Sequence, residues 1–413
     1  MKRVRIDLVA PPMSGHLHPM LGIARRLARD HDVRVFSTAA ARPEIVAAGL
    51  EPRVLLAGAD AQIETIVNPP YAVRGIPWRL HAQFKANLNL LELLYAELLE
   101  NWRGAAPDLV LADFTVPAAG SAALELGVHW WTVTPSALAM ESPDGPPGYL
   151  GGWRPGVGVI GRTRDAVGRS LVRGFKQGVH ALYRDRLRQI GFPSLYRVDG
   201  SEAVYSDERV LAVSLEELEF PRTYPASVEF VGPVLYSPPA DAPEPPFTVG
   251  RPHVLVTLGT HLGWHRAEVA AAVQRAARRL PHVEFHLSDG DRNSARRESL
   301  GNVHRIGFIS YTQHVAKYAV VVHHGGAGVL AHTLAAGTPA VVVPVDFDQF
   351  DYAARLAAAG VAIRVKRLRD LPGAVAKALD DETIRAACLR MSAKLSAGAA
   401  EERIAERVAR YFA

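Results

Sequence analysis

Histidine and glycine stand together in His323-His324-Gly325-Gly326-Ala327-Gly328, directly after the apolar run Val320-Val321-Val322. The pattern predicts a buried strand that breaks into a tight turn and then opens a helix reaching about Ala336. That arrangement is an anion cradle. Glycines let the backbone approach a ligand closely, and the free N–H groups and positive dipole end of the helix favour a phosphate. The next apolar run, Pro339-Ala340-Val341-Val342-Val343-Pro344, ends in Val345-Asp346-Phe347-Asp348-Gln349. Polar groups therefore gather where two parallel strands would finish, the place where open α/β sheets bind ligands. An ordinary glycine-softened corner would use the same glycines, so it is the histidines and the Asp-Gln pair that favour a site.

The elements that must position these groups alternate as in an α/β protein. Residues 3–10 read as a strand, 11–19 as the loop leaving it, 21–28 as a helix with one apolar face and 33–38 as a second strand, a strand-helix-strand unit of the kind that builds parallel sheets. The loop holds one useful glycine, so it is not a dinucleotide fingerprint. Leu88, Leu91, Leu94, Leu98 and Leu99 make a core-facing helical stripe, and the strand at 108–114 brings Asp113 to its carboxyl end. A Pro/Gly-rich stretch at 135–158 is an irregular loop. Residues 237–250 read as a proline-stiffened linker between an N-terminal domain (1–236) and a C-terminal domain (251–413) that repeats the same plan. The last helix, near 399–412, is amphipathic and free to pack back on the first domain.

A chain of 413 residues exceeds one typical core, which makes two domains the starting expectation. The single Cys388 excludes an internal disulfide framework and any cysteine-based metal cluster. With no signal-peptide pattern and no membrane-spanning apolar run, a cytoplasmic enzyme is expected. The formal charge of +5 suits an anionic partner, but zinc-finger spacing, recognition-helix and RNA-binding patterns are missing, so nucleic acid is not expected. A helix at 162–188, with Arg162 and Arg188 at its ends, is rich in arginine interleaved with apolar residues. It suggests peripheral contact with an anionic membrane, although a solvated helix face is the preferred reading.

Taken together, Gly15-His16-Leu17-His18-Pro19, Asp113 after its strand, Phe230-Val231-Gly232-Pro233, Leu258-Gly259-Thr260, Gly307-Phe308, the His-Gly-Gly turn and Asp348-Gln349 resemble the GT-B glycosyltransferases. Each motif is weak alone; seven in order span essentially the whole chain. The similarity is to family 1, the inverting enzymes that use UDP- or dTDP-sugars, and within it to bacterial macrolide and antibiotic glycosyltransferases. The resemblance implies two Rossmann-like domains facing a cleft that holds the active site, a first domain for the acceptor and a second for the donor.

It also implies roles. His16 matches the base that deprotonates the acceptor hydroxyl, and Asp113 the carboxylate that orients it. Thr260, His324, Gly325, Gly326, Ala327 and Gly328 match the donors around the diphosphate, Phe308 and His332 the nucleoside contacts, and Asp348 and Gln349 the holders of sugar hydroxyls. His18 reads as a neighbour of the base and His323 as structural. Asp346-Phe347-Asp348 has the D-x-D form of a metal pair, but the Asp-Gln motif accounts for Asp348, and no catalytic metal or cofactor is expected.

Two positions depart from the uridine-sugar pattern, His332 where a glutamate would hold both ribose hydroxyls and Val329 where a serine or threonine would touch phosphate. A dTDP-sugar becomes a live expectation. The implied reaction moves a hexose to a hydroxyl or amine of a small lipophilic acceptor. The alternatives are a lipid acceptor at a membrane surface and a non-catalytic nucleotide-sugar binding protein. A monomer or homodimer is expected.

Overall fold

The computed structural model describes the chain except for Met1, Arg74, Ser136, Ala240, Asp241, residues 260–262 and Asn293. It divides into two compact units, one made of Met1–Ile66, Gly75–Pro238 and Ala397–Ala413, the other of Val67–Arg74 and Pro239–Ser396. Two segments cross a single cut at 237–250, the first being the final helix that the sequence left free to pack back. The helix Ala399–Tyr411 belongs to the first unit, because Ile404 and Val408 are buried in one cluster with Leu17, Met20 and Leu21. Segment 67–74 belongs to the second unit, where the Val73 N–H donates to Asp346 at 2.8 Å.

In the first unit the strands are β1 (Arg5–Val9), β2 (Asp32–Ser37), β3 (Glu51–Val54), β4 (Leu109–Asp113), β5 (His129–Thr134), β6 (Val210–Ala212) and β7 (Val228–Phe230). They lie in the order β3-β2-β1-β4-β5-β6-β7 and every pairing is parallel. Parallel strands covered on both faces read as continuous apolar runs, as Leu109-Val110-Leu111-Ala112 does. Because β2 and β3 lie on one side of β1 and β4 on the other, the carboxyl ends of β1 and β4 adjoin where the chain reverses direction across the sheet.

One buried polar group ties the long helix Pro77–Gly104 to this sheet. Asp7 on β1 accepts two bonds from Arg34 on β2, at 2.8 and 2.6 Å, and one from the Trp102 indole at 2.8 Å. Burial raises the Asp7 pKa in spite of these partners.

The basic stretch forms two helices, Gly158–Leu182 and Arg184–Gln189. Five of its eight arginines and lysines are bonded inside the unit: Arg164 to Asp165, Arg169 to the Gly145 carbonyl, Arg173 to Glu141, Lys176 to Glu141 and Glu202, and Arg186 to Glu92. The first helix also exposes an apolar stripe of Ile160, Val167, Leu171, Phe175 and Leu182. Among the described residues no helix is long and apolar enough to cross a membrane.

The second unit contains β8 (His253–Thr257), β9 (Glu284–Ser288), β10 (Arg297–Leu300), β11 (Val303–Ile306), β12 (Val320–His323), β13 (Ala340–Val342) and β14 (Ala362–Arg364). Their order is β10-β11-β9-β8-β12-β13-β14, parallel throughout except for the β10–β11 hairpin at one edge. Here the reversal falls between β8 and β12. His253, His286 and His304 pack together, tilted and edge to face, at centroid distances of 5.2 and 5.4 Å, with Phe247 and Tyr318 against them. His286 is fully buried, and burial, then its histidine neighbours, lower its pKa to about 3.

Candidate active site

The loop after β1 is shorter than its sequence suggests. The helix starts at Ser14, with the Met13 carbonyl accepting from His16 N and Leu17 N at 2.9 and 2.8 Å, so Gly15, His16 and His18 are helical. Pro19 misled the sequence reading: it forgoes only the bond to Gly15 O, and the helix runs through it. His16 thereby stands at the reversal between β1 and β4, and Asp113 ends β4.

The His16 Nδ1 lies 3.0 and 3.2 Å from the two Asp113 oxygens. Asp113 is fully buried, and its Oδ1 also accepts the Thr115 N–H at 2.9 Å and the Thr115 hydroxyl at 2.5 Å. A carboxylate only accepts, so Nδ1 carries the proton and the lone pair sits on Nε2. The Phe114 ring packs beside the imidazole at 5.7 Å. His18 is directed elsewhere, its Nε2 2.6 Å from Glu44.

In the second unit β12 ends in His323, which is buried; its Nδ1 accepts the Gly325 N–H at 3.1 Å and so shapes the turn. Burial, then the adjacent His324, lowers its pKa to about 3, which keeps it neutral. Gly325 has φ +102°, a conformation that favours glycine. The helix Ala327–Ala335 then opens with Gly326 at its N-cap, a residue with no side chain of its own to cap it. His324 lies against Gly326 and against Gly259, which follows β8. Thr260 falls outside the described residues.

His332 is buried one turn into that helix. Its Nδ1 donates to the Gly328 carbonyl at 3.0 Å, which leaves Nε2 to accept the Thr312 hydroxyl at 3.1 Å. Phe308 is half-buried, with the Arg292 guanidinium 4.9 Å above its ring.

After β13 the Gln349 side-chain oxygen accepts the N–H groups of Val345 and Asp346, at 2.8 and 3.2 Å, so one end of its amide holds the turn. Asp348 precedes it at the N-cap of the helix Gln349–Ala358 and is partly exposed. Asp346 is buried, and its two oxygens accept the N–H groups of Phe347 and Val73. Phe347 itself stands at φ +53°.

The structure thus joins His16 to Asp113 in one unit, and His324, the glycine turn and His332 in the other. Thr115, Thr312 and Arg292 escaped the sequence reading. Thr115, two residues after Asp113, has a local signal as an Asx-type turn; the other two act through tertiary contacts alone.

The C-terminal part, residues 283–410, matches the family described as erythromycin biosynthesis protein CIII-like, C-terminal domain. O-mycaminosyltylonolide 6-deoxyallosyltransferase of Streptomyces fradiae is 30% identical over 387 residues, 87% of this chain and 85% of that one. The chain belongs to the antibiotic-type glycosyltransferases.

Zeaxanthin glucosyltransferase of Pseudescherichia vulneris is 31% identical over 205 residues, so that match spans about half of each chain, 48% of both. Among solved structures, the kitacinnamycin glycosyltransferase superposes with a TM-score of 0.77 at 22% identity, covering 99% of both chains. A Streptomyces sp. SF2575 glycosyltransferase complexed with thymidine diphosphate gives 0.66 at 20% identity, covering 98% of this chain and all of that one. These likenesses establish the GT-B fold with two Rossmann-like units. With its family, this chain is an inverting glycosyltransferase.

Proposed function

We propose that this glycosyltransferase moves a hexose from a dTDP-sugar to a hydroxyl of a lipophilic natural-product acceptor, with His16 as general base. The supporting observation is the His16–Asp113 pair. Asp113 fixes the Nδ1–H tautomer, so Nε2 can take the proton of the acceptor hydroxyl as its oxygen attacks the anomeric carbon. The bond to the nucleoside diphosphate breaks on the opposite face, which inverts the centre and leaves negative charge on the departing oxygen. His324 and the free N–H groups opening the helix at Ala327 are suited to stabilise that charge.

Donor choice follows from His332. Its two ring nitrogens are engaged with Gly328 and Thr312. A neutral ring already accepting a hydroxyl proton is a poor substitute for a carboxylate that would hold two ribose hydroxyls, and the advantage of a 2′-hydroxyl is lost. The relative from Streptomyces fradiae transfers a 6-deoxy sugar, and the neighbour from Streptomyces sp. SF2575 binds thymidine diphosphate. Both agree with this donor class. Asp346 is poorly suited to a metal, because its buried oxygens are bonded to backbone.

For the acceptor, a cavity of about 280 Å³ lies between the 139–149 loop and the helix Gly158–Leu182, lined by Met140, Tyr149, Pro146 and Arg169 among others. Met140 belongs to the apolar cluster against which Phe114, the neighbour of His16, is packed. This favours an acceptor with an apolar body lying in the first unit.

The test is incubation with a set of dTDP- and UDP-sugars and polyketide or phenolic acceptors, with products read by mass and anomeric configuration by NMR. The expected product gains one sugar with inverted configuration, and His16→Ala abolishes most transfer while keeping dTDP affinity. Unchanged turnover by His16→Ala would remove it as the base; retention of configuration would overturn the displacement.

A further inference from the structure

The glycines of the cradle are not alike. Gly325 needs its positive φ, and a Cβ built on Gly328 would meet nothing within 4 Å. Gly326 has φ −67° and ψ 144°, an ordinary extended conformation open to any residue. Its backbone therefore does not require glycine. The His324 ring does: a Cβ on Gly326 would lie 2.4 Å from Nε2 and 2.7 Å from Cε1 of that imidazole. From the end of β8, Gly259 meets the same edge, its Cβ position 2.8 Å from Cε1 and 3.2 Å from Nε2. One edge of a single imidazole thus occupies the space where two side chains would begin.

We propose that Gly326 and Gly259 clamp the His324 imidazole and are positioning residues for transfer, holding the ring in the rotamer that meets the donor diphosphate. The inference rests on the reading of His324 as a diphosphate ligand. The clamp joins the two strands that flank the reversal point, since Gly259 follows β8 and Gly326 follows β12. An imidazole gripped this way does not have to be ordered when donor binds, so less of the binding energy is lost to fixing it. Gly326 is the cleaner probe, because Gly259 also has φ +70° and would be strained by any side chain.

The experiment is a double-mutant cycle with Gly326→Ala, His324→Ala and the double variant in the full chain, read in two ways. The first is calorimetric titration with dTDP, the second the urea midpoint of the unliganded protein. Gly326→Ala is expected to lose about tenfold in dTDP affinity, the size of one charge-assisted hydrogen bond. In the His324→Ala background the same change should alter affinity by no more than about twofold, within ordinary additivity. The midpoint should fall on Gly326→Ala in the parent and stay in place once the ring is gone.

Equal losses of affinity in both backgrounds would show that Gly326 serves the phosphate itself and would overturn the clamp. Equal falls of the midpoint in both backgrounds would also overturn it. If His324→Ala binds dTDP as the parent does, the diphosphate reading of His324 fails, while the unliganded midpoints still decide whether the ring and the glycine are coupled. If Gly326→Ala does not fold, the double variant is expected to fold; failure of both contradicts the proposal.

Discussion

Acid should destabilise the second unit through histidines that are buried neutral. His286 and His323 are fully buried, and each has its pKa lowered to about 3, chiefly by burial. In the unfolded chain an imidazole titrates near ~6.5. The folded state therefore binds fewer protons than the unfolded state in the window between those values. Stability is fully present above the ordinary imidazole pKa and falls as pH drops through it. From pH 7 to pH 5 the loss is about 2 kcal/mol for each ring, about 4 kcal/mol for the pair. His253 and His314, also lowered mainly by burial, act in the same direction. Urea unfolding at the two pH values, with amide exchange in β9 and β12 to locate the change, measures the loss. His286→Gln, which does not titrate, should reduce the pH-dependent loss by about 2 kcal/mol whatever it does to stability at pH 7. A total loss under about 1 kcal/mol, or a His286→Gln slope equal to the parent's, would refute the reasoning.

Asp113→Asn should lower kcat by about 10³- to 10⁴-fold with little change in donor affinity, because the amide can donate to His16 Nδ1 and so move the proton to Nε2; steady-state kinetics beside dTDP titration checks this. His332→Glu should move the ratio of UDP to dTDP affinity toward UDP by about tenfold by supplying a ribose acceptor, which competition titration reads. Asp7→Ala should cost about 3–5 kcal/mol by leaving Arg34 buried without its carboxylate, seen in the urea midpoint.

Apolar runs made most strands legible, since strands buried on both faces carry continuous hydrophobic sequence. The pairing of His16 with Asp113 was legible through the family resemblance; the residue pattern alone placed His16 after one strand and Asp113 at the end of another. What the sequence hid depends on distant partners. The helical start at Ser14 was masked by Pro19, which sits in the second turn and gives up a backbone bond there. The bond of Val73 to Asp346 joins residues far apart in the chain, and nothing local to 67–74 announces it. The arginines of the 158–189 helices looked like an outward basic face. Folding turns four of them and Lys176 to internal partners and leaves an apolar stripe exposed. The Gly328 carbonyl one turn back sets the tautomer of His332, but the hydroxyl on its Nε2 comes from Thr312, twenty residues away.

Calorimetric titration of the full chain with dTDP and with UDP, in buffer containing a chelator, tests the central claim most directly. The account predicts binding of both without metal and clearly tighter binding of dTDP, weakened by His324→Ala. Tighter binding of UDP would contradict the donor assignment, and no binding of either would contradict the reading of the glycine turn as a donor site.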